Sequence, residues 1–377
     1  MALGICKRNI AISCIITFGV VCYNINRLSI TGFTISKFDS FVRLSTKLQN
    51  YKSNERSQKE SFSNTKSNYR WMEQMEEKYK IINDRINEVC QRYRQKRKLS
   101  KVEYDMEQIT TTVVSNTFLF DTNHKLAFCQ NKKVGTTTWL TYFYKLMPPE
   151  TLAQNMTDRI QSLLKNRNLV ESKLRIPNVI MKEKMIDKKS LFADFLNGYL
   201  KNNDYITFSF VRHPFRRLVS CYKNFVLKWD GYGMKLFGYS NWYINNHSFP
   251  AFIDLVLGEW QKDKCYKSYN FPCLKLNQHW RPLNSQCLYC DILYNVIGRM
   301  ETFSDDVQYI LIKANLTSLV GNHSKVVNSS KDVQLKTDKR NETLHYFSQL
   351  KKPQVDKLYR MYDIDFEMFN YKNDIYF

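Results

Sequence analysis

The segment Phe128-Cys-Gln-Asn-Lys-Lys-Val-Gly-Thr-Thr-Thr-Trp139 sets the architecture of this 377-residue chain. Leu126 to Cys129 reads as a buried strand that opens into a short polar loop with one glycine. Three threonines then lead into an amphipathic run from Trp139 to Leu146. A strand, a tight loop and a helix N-terminus make an anion site, because backbone N–H groups and the positive end of the helix dipole face the same spot. Lys133 adds a mobile positive charge, and Thr136, Thr137 and Thr138 add hydroxyl donors. Phosphate or sulfate suits such a place. The nucleotide P-loop has two glycines separated by four residues and followed by Lys-Ser/Thr. Here the lysine precedes the only glycine, so ATP or GTP is not the first expectation. Taken alone, the segment is equally an ordinary strand–turn–helix with a threonine cap.

A second segment shifts that balance. Tyr205-Ile-Thr-Phe-Ser-Phe-Val211 is β-branched and aromatic, the composition of a strand. It runs into Arg212-His-Pro-Phe-Arg-Arg-Leu-Val-Ser-Cys-Tyr-Lys223. Pro214 fits the first turn of a helix, where its missing N–H costs nothing. Phe215, Leu218, Val219 and Tyr222 follow at helical spacing. Arg212 leaves the strand at the end where ligands bind in open α/β sheets. Ser220 lies about two turns further on, so an arginine and a hydroxyl can share a second phosphate.

Together these segments resemble the Golgi carbohydrate sulfotransferases of the HNK-1, chondroitin 4-O, dermatan 4-O and GalNAc 4-O group. The group's first motif, roughly Cys-x-x-Pro-Lys-Val-Gly-Ser-Thr-Asn-Trp, is matched by Cys129 to Trp139. Lys132 stands in place of the proline, Thr136 of the serine and Thr138 of the asparagine. The second motif, Arg-His-Pro-Phe-x-Arg-Leu-Val-Ser-x-Tyr, is matched almost unchanged by Arg212 to Tyr222. Gln278-His-Trp-Arg-Pro282 with Cys287 and Cys290, then Tyr294-Asn-Val-Ile-Gly-Arg-Met-Glu301, resembles the group's His-Trp-x-Pro and Ile-Gly-Lys-x-Glu region. Tyr346 to Leu350, Leu358 to Tyr362 and Asp365 to Tyr371 resemble its C-terminal helix and tail. The likeness covers about residues 110–371.

The resemblance implies an α/β fold of the P-loop-like sulfotransferase type and 3′-phosphoadenylyl sulfate (PAPS) as sulfate donor, with no metal. It implies that Lys132, Lys133, Val134, Gly135, Thr136, Thr137 and Thr138 hold the 5′-phosphosulfate. Lys133 would be the cation at the bridging oxygen. Arg212 and Ser220, within the run His213, Pro214, Phe215, Arg216, Arg217, Leu218 and Val219, would hold the 3′-phosphate. A base should take the proton of the sugar hydroxyl. His279 is the first candidate, with Trp280 beside it as a surface for a pyranose; His279 is equally a structural histidine. His213 is the runner-up, and Glu183 and Glu301 are further candidates. The acceptor expected is a chondroitin- or dermatan-type glycan, sulfated on GalNAc O4.

The N-terminus supplies an address. No charged residue occurs from Asn9 to Asn26, and Lys7 and Arg8 come before the apolar run from Ile10 to Ile25. No small-x-small cleavage site follows, so an uncleaved signal anchor over 10–25 is expected rather than a cleaved signal peptide. Residues 1–9 would then be cytoplasmic. Six Asn-x-Ser/Thr sequons, at Asn155, Asn246, Asn315, Asn322, Asn328 and Asn341, fit a lumenal chain in the Golgi. So do seven cysteines beyond the anchor. Cys265, Cys273, Cys287 and Cys290 are disulfide candidates, with a four-cysteine zinc site as the alternative. Cys129, in a buried strand, reads as a small apolar core residue.

Residues 26–108 read as a lumenal stem and 109–377 as the catalytic domain. Within the stem, Trp71, Met75, Tyr79, Ile82, Ile86 and Val89 recur at helical spacing. A helix over 71–98 is expected as a solvated stalk; the alternatives are pairing with a second copy and packing on the catalytic domain. Beyond it, strands at 125–129, 176–181, 205–211 and 295–298 alternate with helices at 138–146, 150–165, 189–201, 214–227, 249–260, 304–314 and 354–362. That alternation predicts a parallel sheet covered by helices. The net charge of +22, from 57 basic against 35 acidic residues, calls for anionic partners. A lumenal chain does not meet nucleic acid, so a glycosaminoglycan and a phosphorylated cofactor explain the charge. Two readings compete. A nucleotide-dependent kinase would need a carboxylate following a strand, but Asp204 precedes one. A glycan-binding protein on a decayed sulfotransferase fold would tolerate Lys132 in the loop, yet both phosphate motifs keep their key residues.

Overall fold

The structure, a computed structural model, describes residues 69–95, 105–147, 174–175, 177–186, 190–228, 231–236, 238–245, 247–262, 274–320 and 340–372. The expected anchor at 10–25, the helix at 150–165 and the sequons Asn155, Asn246, Asn322 and Asn328 lie outside these residues. Among the described residues, no helix is long and apolar enough to cross a membrane. The chain divides into Met1–Trp71 and a compact unit, Met72–Phe377; the account below concerns the second.

A helix over 69–95 (α1) is followed by α2, Met106–Thr117. Then come β1, Phe118–Asp121; β2, Leu126–Cys129; and α3, Thr136–Leu146. Helices α4, Asn178–Ile186, and α5, Phe192–Asn202, lead to β3, Ile206–Val211, and α6, Pro214–Tyr222. Helix α7, Phe249–Lys262, precedes β4, Val296–Arg299, and α8, Phe303–Lys313. Helices α9, Lys352–Met361, and α10, Asp363–Met368, close the fold.

The four strands form one sheet in the order β1-β2-β3-β4. Strands β2, β3 and β4 are parallel, with Cys129 opposite Ser209 and Val211 opposite Arg299. Strand β1 departs from the purely parallel expectation: it runs antiparallel to β2, Phe118 facing Cys129. Only a four-residue turn joins the two, far too little chain for a crossover helix. Asp121 holds that turn, accepting from the N–H groups of Asn123 and His124 at 3.1 Å each. Every residue of β1, β2 and β3 is buried, as strands covered on both faces require.

Two other expectations change. The strand expected at 176–181 is helix α4 instead. A short apolar run fits either state. Pro177 decides it: proline suits a helix start, and its carbonyl accepts from Met181 N–H at 3.3 Å. Helix α2 was not expected, although Asp105 caps it by accepting from Gln108 N–H at 2.9 Å. The helix expected over 214–227 is α6 followed by a π-helical turn, Lys223–Leu227.

Helix α1 is not a solvated stalk. Met75, Tyr79, Ile82, Ile86, Val89, Cys90 and Tyr93 are all buried, and Cys90 is disulfide-bonded to Cys290. The buried carboxylate of Asp306 on α8 accepts from Tyr79 Oη (2.7 Å), from Arg299 N–H (2.7 Å) and from the ammonium of Lys78. The face that could have paired with a second copy therefore lies against the chain's own domain, which reaches back to Met72 rather than starting near 109. The second disulfide, Cys129–Cys287, corrects the reading of Cys129 as a plain core residue. It also removes the four-cysteine zinc alternative, since Cys287 and Cys290 are each bonded elsewhere.

The Cys90–Cys290 link closes a loop of 200 residues, and chain entropy makes such a cross-link worth about 3–5 kcal/mol. The variant Cys90→Ala with Cys290→Ala should therefore unfold at markedly lower temperature and urea concentration. An unchanged midpoint would show that α1 is not part of the folded unit.

Candidate active site

The loops leaving the carboxyl ends of β2, β3 and β4 carry Lys133, Arg212 and Glu301, three of the expected site residues. The first loop is held rigid from below. Buried Asn131 reaches Ser209 Oγ (3.2 Å), the Phe210 carbonyl (3.0 Å) and Tyr289 Oη (2.6 Å) with its side-chain amide. The Thr136 hydroxyl donates back to the Asn131 carbonyl, closing the loop on itself. Lys133 and Gly135 have φ of 70° and 81°. At Gly135 a Cβ would sit 2.4 Å from the Phe303 ring, so glycine is required on both counts. Helix α3 begins at Thr136; the Thr138 N–H donates to the Gly135 carbonyl at 3.0 Å, and the N–H groups ahead of it open toward this loop. Trp139 is buried against Phe208, ring centroids 4.4 Å apart, and fixes the helix to the sheet.

Arg217 ties this loop to the His279 segment. Its guanidinium is buried and donates to the carbonyls of Lys132 (3.1 Å), Arg281 (2.7 Å) and Gln278 (3.2 Å). The consequence is a shared aromatic floor. The Lys133 ammonium lies 4.9 Å from the Phe225 ring centre, and the His279 ring lies 4.3 Å from it. Phe225 reaches this place from the π-helical turn. Asn277 Oδ1 accepts from His279 Nδ1–H at 2.8 Å. With the proton on Nδ1, Nε2 carries the lone pair, as a base requires. Trp280 does not offer a face to a sugar. It is fully buried, edge-on to Phe252, and its indole N–H donates to Glu259 at 2.8 Å.

Arg212 and Ser220 line a cavity of about 320 Å³, together with Arg216, Lys223, Glu301 and Glu342. Arg212 also donates to the Lys133 carbonyl at 3.3 Å, which links this cavity to the first loop. Burial lowers the Arg212 pKa from its usual value, opposed by nearby Glu301, yet a guanidinium stays charged. Arg216 lies 3.8 Å from Glu301, and its Nε is buried with no hydrogen-bond partner. An orphaned donor in a cavity shared with Arg212 and Ser220 fits a phosphate group.

The rest of the second motif is scaffold. Phe215, Leu218 and Val219 pack in the apolar core, Pro214 is buried, and Arg217 serves backbone carbonyls. Only Arg212, Arg216, Val219 and Ser220 of that run line the cavity. His213 is engaged at both nitrogens: Nδ1 accepts from Phe215 N–H at 3.2 Å and Nε2–H faces the Lys372 carbonyl at 3.1 Å. That suits a structural cap rather than a base. Glu301 sits in the arginine cavity, accepting from Tyr371 Oη at 3.1 Å, and Glu183 is exposed on α4. Lys132 turns away from Lys133, reaching Gln130 Oε1 at 3.3 Å. Thr137 is exposed and Thr138 half-buried. Among the described residues no cluster of side chains could hold a metal ion.

Residues 116–372 match the model of the Sulfotransferase family. The chain belongs to that family. It is 28% identical over 263 residues to carbohydrate sulfotransferase 11 of Danio rerio, covering 67% of this chain and 66% of that protein. It is 27% identical over 274 residues to carbohydrate sulfotransferase 10 of Homo sapiens, covering 70% and 69%. The match thus spans about two thirds of the length of these curated relatives. No solved structure matches the chain.

Asn131, Asn277 and Phe225, and the bridging role of Arg217, were not anticipated. Only the spacing Asn277-x-His279 could have hinted at the capped imidazole. The segment that Arg217 holds has a second buried tether, Asp365, which accepts from the N–H groups of Leu283 (2.6 Å) and Asn284 (3.0 Å). Burial pushes its carboxyl up to about 6, with those N–H groups and Arg217 opposing the rise. The folded state then holds this proton more tightly than the unfolded state. The contribution is full below about 4, the ordinary aspartate value, and is lost as pH rises through about 6. Melting temperatures of Asp365→Asn should lack this part of the pH dependence between about 4 and 6; an unaltered profile would contradict the assignment.

Proposed function

We propose that this protein transfers sulfate from PAPS to a hydroxyl of a glycan, with GalNAc O4 of a chondroitin- or dermatan-type chain as the acceptor. The observation that carries the reading is the meeting of Lys133 and His279 on one Phe225 ring, with Arg212 bonded to the same loop. PAPS supplies an already activated sulfuryl group. The chain's own residues then bind, orient and move a proton. The backbone N–H groups from Lys133 to Thr137 hold the 5′ end, and Arg212, Arg216 and Ser220 hold the 3′-phosphate. The Lys133 ammonium stabilises negative charge as it develops on the leaving side. His279 Nε2 accepts the proton of the sugar hydroxyl, held in the right tautomer by Asn277. Positioning of this kind accounts for most of the catalysis in such group transfers.

The same reading covers location. Two disulfides support an oxidising compartment. Asn315 and Asn341 are exposed, as glycan acceptors must be. We place the chain in the Golgi membrane as a single-pass protein anchored by 10–25, with the catalytic unit in the lumen.

Transfer of radiolabelled sulfate from PAPS to chondroitin tests the proposal directly, and absence of transfer to any glycan would overturn it. Lys133→Ala should lower kcat by about 10²–10³-fold, the usual cost of losing one charge-stabilising donor, while the protein stays folded. Arg212→Ala should weaken binding of the desulfated cofactor. Asn277→Asp should shift the acid limb of the kcat profile upward by about one pH unit, because a carboxylate beside the imidazole favours its protonated, inactive form. A limb that does not move would remove His279 as the base.

A further inference from the structure

Both halves of the proposed cofactor site lean on one short segment, Arg299 to Asp306, where β4 runs into α8. Met300 and Glu301, in a 3-10 turn over Met300–Thr302, line the arginine cavity. Glu301 there faces Arg216 at 3.8 Å and accepts from Tyr371 Oη at 3.1 Å. Phe303 follows two residues later and packs on the other loop. Its ring is what a Cβ at Gly135 would meet at 2.4 Å, and it lies 5.0 Å from the Phe210 ring on β3. A shift of this turn therefore moves a carboxylate in one half of the site and the ring packed on Gly135 in the other.

One buried carboxylate fixes the turn. Asp306 is 0% exposed, and its two oxygens serve two elements. Oδ2 accepts from the Arg299 N–H and from Thr302 Oγ1, each at 2.7 Å, and so brackets the turn at both ends. Oδ1 accepts from Tyr79 Oη at 2.7 Å and from the Lys78 ammonium, both on α1. Lys78 also donates to Thr302 Oγ1 at 3.2 Å. Burial, and next the Asp306 charge, raise the Tyr79 pKa above its usual value, so the phenol keeps its proton and donates. A buried carboxylate that loses its cationic partner must draw in water or move toward another donor. Either change reaches the turn through Oδ2.

Resting on the sulfotransferase reading, we infer that Lys78 and Tyr79 are positioning residues for the cofactor: through Asp306 they set the Met300–Thr302 turn, and with it the Glu301 carboxylate beside the 3′-phosphate arginines and the Phe303 ring against Gly135 of the 5′-phosphosulfate loop. Helix α1 thus acts on cofactor affinity, although neither side chain lines the arginine cavity.

The test uses the full chain and two separate readouts. The first is amide hydrogen exchange in the free protein. It follows the Arg299 amide, which donates to Asp306, and the Thr138 and Trp139 amides, which donate to the Gly135 carbonyl at 3.0 and 3.3 Å. Lys78→Met and Tyr79→Phe should each speed exchange at both places, by about tenfold at Arg299, the worth of one hydrogen bond to a charged group. Glu76→Gln is the control. Glu76 also joins α1 to α8, but through Lys313 Nζ at 3.3 Å, at the end of α8 far from the turn. It should leave exchange at both places unchanged. The second readout is equilibrium binding of 3′-phosphoadenosine 5′-phosphate. Lys78→Met should weaken it by about fivefold to tenfold, an ordinary size for coupling between separate groups. Lys78→Arg should recover most of that loss, and Glu76→Gln should bind as the wild type does. A merely structural role would lower the fraction of molecules that bind and leave the dissociation constant alone. Unchanged exchange in both α1 variants, or an unchanged dissociation constant, would overturn the inference. A wild-type chain that binds no 3′-phosphoadenosine 5′-phosphate, with faster exchange in both variants, would overturn the sulfotransferase reading and leave the coupling of α1 to the two loops standing.

Discussion

The geometry of this molecule depends on a buried cation and a buried anion that grip one stretch of backbone from opposite sides. Arg217 takes the carbonyls of Gln278 and Arg281, and Asp365 takes the N–H groups of Leu283 and Asn284. The third Arg217 bond, to the Lys132 carbonyl, joins that stretch to the loop after β2. Neither charge bonds the other directly, yet each lowers the cost of burying its opposite. Isolated buried charges are expensive, and partners that are pure dipoles compensate only when their geometry is fixed. Fixed geometry is what a site for group transfer needs, because Lys133 and His279 come from loops about 146 positions apart in the chain.

The disulfide Cys129–Cys287 repeats this logic covalently. Cys129 ends β2, the strand that delivers Lys133, and Cys287 follows the clamped stretch. The loop after β2 is therefore joined to the His279 region twice, through a guanidinium and through sulfur. The Phe225 ring lies against both the Lys133 ammonium and the His279 ring. Its position depends on the π-helical turn after α6, which moves the ring off the register an uninterrupted α-helix would give.

Much of the parallel sheet could be read from residues because buried parallel strands are continuous apolar runs, and Leu126–Cys129 and Ile206–Val211 are such runs. The loops expected to bind phosphate could be located for a related reason: Gly135, Lys133, Arg212 and Ser220 lie in segments that directly follow β2 and β3. What escaped was the set of contacts made across long stretches of chain. Cys129 looked apolar because its partner lies 158 residues away. The stripe on 69–95 declared a helix but not its cover, which Asp306 and Cys290 supply from 200 or more residues downstream. Trp280 looked like a sugar platform because sequence shows its neighbour His279 and hides Phe252 and Glu259. Arg217 was grouped with phosphate ligands because a motif reports that an arginine is needed, not which carbonyls it holds.

The arginine cavity handles its positive charge in a way that suits a ligand it would have to release. Around Arg212 and Arg216 the chain supplies its own acids: Glu301 lies 3.8 Å from Arg216, and Glu342 pairs with Lys223. That separation is too long for a strong charge-assisted bond, and it leaves Arg216 Nε without a partner. A phosphate entering there would exchange a loose ion pair for short bonds, and on its departure the carboxylate would be in place to take the guanidinium back. Such an exchange would limit net affinity, which suits the proposed release of a spent cofactor.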